Sequence, residues 1–259
     1  MATAALATGA ARDDASFFFK LAAAMGLTIA IAFSLHFAMG RSSFGAPMIV
    51  HAHAVAFMAW TGFFVLQSWL MASGRGQYHR RLGWLALPLV AVMAVLGTGV
   101  TVAMVQRGQA PFFFTPQHFL IANPLTLLSF IIVLSAAIGM RRRSDWHRRL
   151  HICAMAMIMG PAFGRLLPAP LLIPYTFEIS ALAGLLFPLA GMVRDARAGG
   201  VHPAWVWGMA PLPVALLAAM LLSASPLGTS IYTAVTAGTP GGKVPGLEFP
   251  PPPPGFAPN

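Results

Sequence analysis

The chain has 259 residues; 58% are hydrophobic, 8% are charged and the mean hydropathy is +0.74. Soluble domains carry roughly 25% charged residues, and one soluble core of this length cannot hide so much apolar surface, so the bilayer must act as solvent. A formal charge of +10 would suit nucleic acid, but the arginines cluster in short loops between apolar stretches, where they act as topology signals, and nucleic acid is set aside as a partner.

Residues 1–16 are Ala-rich and read as a short mobile tail. Residues 17–39 form the first apolar span, too long for a signal-peptide core and therefore read as retained. Further spans are predicted at about 48–72, 82–106, 118–140, 149–167, 173–193 and 204–223. The expected fold is an all-α, seven-helix transmembrane domain over 17–224. The remainder, 225–259, is Pro/Gly-rich and is expected to be disordered or polyproline-like. Pro88, Pro124, Pro161, Pro188, Pro211 and Pro213 fall inside spans as kinks or helix starts. The lone Cys153 excludes an intrachain disulfide.

Lys and Arg fix an expected orientation. The tail and the loops after spans two, four and six hold twelve of the 16: Arg12, Lys20, Arg75, Arg80, Arg81, Arg141, Arg142, Arg143, Arg148, Arg149, Arg194 and Arg197. Arg41, Arg107, Arg165 and Lys243 fall on the other side. The heavier side faces the cytoplasm, which puts the N-terminus inside. The localisation expected is a bacterial inner membrane.

A shift of 68 residues lays His79-Arg-Arg-Leu on His147-Arg-Arg-Leu, Arg75 on Arg143 and Gln67 on Ser135; His118 lands within one position of His51. A fainter third copy runs from Arg197 to Trp207, where His202 follows a basic loop. The pattern predicts three helical hairpins with one span added.

Histidine is costly in hydrocarbon and usually faces an interior, cavity water or an interface. The orientation puts His36, His51, His53 and His118 near the outer face and His79, His147, His151 and His202 near the cytoplasmic face. His147 and His151, four apart, share one helix side, and Met155 and Met159 continue it. His51 and His53, two apart, diverge by about 200°. His53, Trp60 and Gln67 recur every seven residues and are assigned to the interior. Three readings compete. In the first, the histidines are interfacial residues without chemistry. In the second, they ligate haem b or copper: His53 and His118 as outer ligands and His79 with His147 or His151 as inner ones, or a metal held by His36, His51, His53 and His118. In the third, histidines with Gln67, Glu178 and Arg165 line a substrate or proton path. Glu178 reads as the only carboxylate inside a span, with Arg165 its expected partner. Paired carboxylates, G-x-S-x-G, H-E-x-x-H, a P-loop and C-x-x-C are all missing, which leaves hydrolase and ATPase readings unsupported.

His51 or His53 opening a span, Gln67 near its inner end, then His79-Arg80-Arg81-Leu82-Gly83 opening the next span resemble a group of bacterial multi-pass membrane proteins of unknown function. His202-Pro203-Ala204 with Trp207-Gly208 resembles that group's closing hairpin. The likeness covers most of residues 48–210. A more distant likeness is to small membrane factors that help assemble haem-copper oxidases; it implies a haem or copper context. The expected function is haem or copper handling in respiratory redox chemistry or oxidase maturation, with a transporter or channel-like permeation protein, or a non-catalytic interaction subunit, as the alternatives; the expected partners are the bilayer, and respiratory-complex subunits or a second copy. The second hairpin departs from the pattern, with His151 where Gly would stand.

Overall fold

A computed structural model describes residues 2–42 and 44–252, with side chains from Asp13 onward. All regular elements among these residues are helical. Among the described residues, five helices are long and apolar enough to cross a membrane. The chain divides into two compact units, Met1–Leu96 and Gly97–Asn259.

The first unit holds α1 (Ala2–Ala38) and α2 (Met48–Ala72) and the start of α3 (Gly76–Gln106). Within the expected tail at 1–16, residues 2–16 are instead helical backbone continuous with the first span; the alanines there are the strongest helix formers, and no proline interrupts them; Met1 lies outside the described residues. On α1 the buried residues Phe18, Ala22, Met25, Ile29 and Ala32 repeat at alternating three- and four-residue steps, one stripe of a helix. α1 packs against α2, and Gly26 lets Val65 approach closely.

The second unit contains α4 (Pro116–Gly139), α5 (Ser144–Met157), α6 (Gly160–Leu166), α7 (Thr176–Ala183), α8 (Leu186–Arg197), α9 (Pro203–Ser223) and α10 (Pro226–Thr236). α4 lies between α5 and the second half of α9, while α5 also packs on α8 and on the start of α9. The expected fifth and sixth spans are each broken. α5 stops at Met157 and α6 restarts at Gly160-Pro161, because Pro161 lacks the N–H that would continue the ladder and its ring collides with the carbonyl one turn back. α7 and α8 form a pair bent by 40°. The two breaks meet. A Cβ on Gly184 would collide with the Ala156 carbonyl, and one on Gly160 would lie 3.3 Å from Ala181 Cα.

Both copies of the repeat begin alike. Arg75 and Arg143 are N-caps, and His79 and His147 each stand fourth in the helix that follows. The copies then diverge, since α3 runs on whereas Gly160-Pro161 stops the second copy.

The expected disorder of 225–259 does not hold for residues 226–243, where an α-helix over 226–236 and a 3₁₀ turn over 240–243 are joined by a tight turn. Ser225 Oγ accepts from Gly228 N–H (3.2 Å), and Pro226 stands at the first helical position, which together start α10. A 3₁₀ turn, Pro240–Lys243, follows. Tyr232 packs with Val105 and Leu120, and its hydroxyl donates to Gly241 O (3.1 Å) and Val244 O (2.9 Å). Gln106 Nε2 donates to Val235 O (3.0 Å), and Gln117 N–H donates to Gly246 O (2.9 Å). Gly241 lies so close on the Val105 carbonyl that no side chain fits there. Gly228, Gly241 and Gly242, which suggest disorder by composition, are thus required by close packing. Residues 253–259 of the expected disordered segment lie outside the described residues.

Candidate functional site

His118 is in the first turn of α4, Glu178 in the first turn of α7, and Ser223 ends α9. The three meet. His118 Nε2 lies 2.8 Å from Glu178 Oε1, a short contact without the alignment of a good hydrogen bond. His118 Nδ1 lies 3.1 Å from Ser223 Oγ. Ser223 donates its hydroxyl hydrogen to Met220 O (3.1 Å), so it accepts from His118, and Nδ1 carries a hydrogen. Two lone pairs facing each other at 2.8 Å would repel, and a proton placed between Nε2 and Oε1 would turn that repulsion into attraction. The side chains of His118 and Glu178 are 14% and 13% exposed, and Phe177 packs edge-on against the imidazole (centroids 5.5 Å apart). Gln117, next to His118 in the chain, anchors the neighbourhood through Nε2 to the Ser223 carbonyl and to Thr229 Oγ1 (3.2 Å).

The order serine–imidazole–carboxylate is that of a hydrolase triad. Here the serine proton goes to Met220 O, so His118 is not placed as its base. The arrangement can instead take up and release a proton between an imidazole and a carboxylate.

These contacts correct two expectations. Glu178 pairs with His118 rather than Arg165, whose Nη1 donates to Pro161 O one turn back (2.8 Å). His118 is a poor ligand, because both ring nitrogens are engaged. Among the described residues no three His, Cys, Asp or Glu side chains cluster to hold a metal ion.

The remaining candidates of the first unit are spread along it. His36 Nδ1 meets Ser42 Oγ (3.1 Å), and His51 Nε2 meets the Phe44 carbonyl (3.1 Å). His53 stacks tilted on Phe57 at 4.3 Å, so His51 and His53 serve different surroundings. Trp60 and Gln67 are buried, as the seven-residue spacing predicts. His79 is half-buried near the start of α3. In the second unit His147 Nδ1 donates to Ala137 O (2.7 Å), and its ring meets His151 edge-on at 4.4 Å.

A second polar cluster, at the basic end, escapes sequence reasoning. Asp195 in the last turn of α8 takes Arg149 Nε (2.8 Å), Arg149 Nη2 (2.9 Å) and Trp205 Nε1 (2.8 Å). His202 caps α9, with Nδ1 accepting from Ala204 N–H (3.1 Å), so Nε2 holds the hydrogen and donates it to Asp145 (2.9 Å). Glu178 is therefore not the only carboxylate on the apolar helices. An acidic residue inside an otherwise basic loop was the available signal for Asp195. Every polar group of this cluster that these contacts involve is satisfied, and its role is to clamp α5, α8 and α9 together.

Comparison of the chain with protein-family models, with curated proteins and with solved structures finds no match.

Proposed function

We propose that this is an inner-membrane protein crossing the bilayer seven times, N-terminus in the cytoplasm, that exchanges protons at its outer end through the His118–Glu178 pair, in the class of transport or permeation proteins. On this reading the five long helices are five crossings, and the two broken segments, about 149–166 and 176–197, supply the other two. The observation that carries the reading is the 2.8 Å separation of an imidazole and a carboxylate, both largely withdrawn from solvent, on separate apolar helices. Ionisable groups there are expensive and mark ion or proton pathways by default. Two discontinuous helices meeting at their breaks, as transporters use, support the same class. The test is proton uptake into proteoliposomes driven by a potassium diffusion potential and followed with an internal pH dye. The protein conducts, and Glu178→Gln slows uptake about 10²-fold, the scale of a positioned proton-transfer group. Equal rates would refute the assignment.

One observation favours a second reading, haem or copper handling at the basic end in respiratory redox chemistry or oxidase maturation. The His147 Nδ1–H bond to Ala137 O makes Nε2 the basic nitrogen, the tautomer that binds iron or copper. A bound haem would supply one-electron chemistry. A Soret band lost in His147→Ala supports this reading, and a colourless protein with no copper by elemental analysis refutes it.

A further inference from the structure

His53, Trp60 and Gln67 stand on one side of α2, about 10 Å apart along its axis. The stripe runs almost the length of the helix: His53 is in the second turn, and Gln67 is about 8 Å short of the end. Between these residues the buried positions are apolar, Ala56 and Phe64. Gln67 is 8% exposed, and neither its Oε1 nor its Nε2 meets a hydrogen-bonding protein group among the described residues. A primary amide brings two donors and two lone pairs, and burying all of them unmet is costly enough that each such case calls for an occupant.

The chemistry of the amide selects that occupant. A hydrocarbon ligand would leave both ends unmet. A carbonyl ligand would meet only the donor end. A metal cation would meet only the oxygen. Water donates and accepts, and is small enough to lie beside a packed helix. We propose that Gln67 holds ordered water, and that the His53–Trp60–Gln67 stripe is a hydrated file along which protons move through the first unit. Proton movement rests on the proton-handling reading above; water at Gln67 does not.

X-ray hydroxyl-radical footprinting of the full-length protein in detergent tests the water, since bound water converted in place labels buried neighbours that bulk radicals miss. Phe64, one turn from Gln67 and 4% exposed, labels in wild type. The label falls several-fold in the near-isosteric Gln67→Met and survives in Gln67→Glu, which keeps a polar end. An unlabelled Phe64 in wild type, or equal labelling in Gln67→Met, overturns the water site. Proton uptake in proteoliposomes tests the file, with Gln67→Met slowing it tenfold or more. If Glu178→Gln slows uptake and Gln67→Met does not, the file is overturned while the outer pair stands. If Glu178→Gln has no effect, the outer-pair reading fails, and the Gln67→Met rate alone upholds or overturns the file.

Discussion

Replacing Asp195 by leucine removes the carboxylate that receives Arg149 through two nitrogens and Trp205 through one. Arg149 is 7% exposed and would keep its charge without a facing carboxylate; the Asp145 carbonyl, 3.0 Å from Nη1, is neutral. Removing one partner of a buried ion pair costs about 3–5 kcal/mol, because the other charge stays desolvated. At about 2–4 °C per kcal/mol for a chain of this size, the midpoint should fall by roughly 6–20 °C. Cys153 supplies the assay. It is the one cysteine, fully buried, on the same helix as Arg149, so a fluorogenic thiol reagent reports the opening of α5 on heating. The double variant Arg149→Met/Asp195→Leu should recover most of the loss, since apolar groups of similar volume replace a buried pair at little cost. A single variant that melts with wild type, or a double variant worse than either single one, would refute the claim that this pair clamps the basic end.

Burial pushes the Asp145 carboxyl up, but the His202 hydrogen bond and the amides of Trp146 and Asp145 outweigh it and hold the group below its usual 3.8. A carboxyl depressed by folding adds stability above its unfolded value and loses it as pH falls through the folded one; wild type should therefore lose stability on acidification below about pH 4, and Asp145→Asn should lose less, by melts across pH. Gly191→Leu should destabilise by about 1–3 kcal/mol or more, because a side chain there meets the indole of Trp205, and chemical denaturation checks it. Tyr232→Phe leaves two carbonyls without their hydroxyl donor, costing about 1 kcal/mol, and should speed proteolytic cleavage within 237–249 while leaving cleavage of the 73–76 loop unchanged.

Helix positions were legible because length and apolarity dominate in lipid, where a backbone must satisfy itself. The stripe of His53, Trp60 and Gln67 was legible for a related reason: its seven-residue spacing survives any packing partner. Pairing was not legible. Arg165 looked like the partner of Glu178 by charge alone, yet the relative rotation of α4, α7 and α9 brings His118, held on its other side by Ser223, to that carboxylate instead. The two broken helices were hidden because Gly160-Pro161 and Gly184 read alike as kinks or as full breaks; the difference lies in which neighbour comes close. Composition misjudged residues 226–243 for the opposite reason. Glycine marks flexibility in isolation and tight contact when a carbonyl sits where its side chain would be.

The central claim is that His118 and Glu178 hold a titratable proton between them. Infrared difference spectroscopy across an acid titration, with the protein in lipid, reads it directly. The account predicts a carboxylic C=O band that grows on acidification, disappears in Glu178→Gln and shifts its midpoint in His118→Gln. A spectrum whose carboxyl bands are the same in wild type and Glu178→Gln at every pH would contradict it.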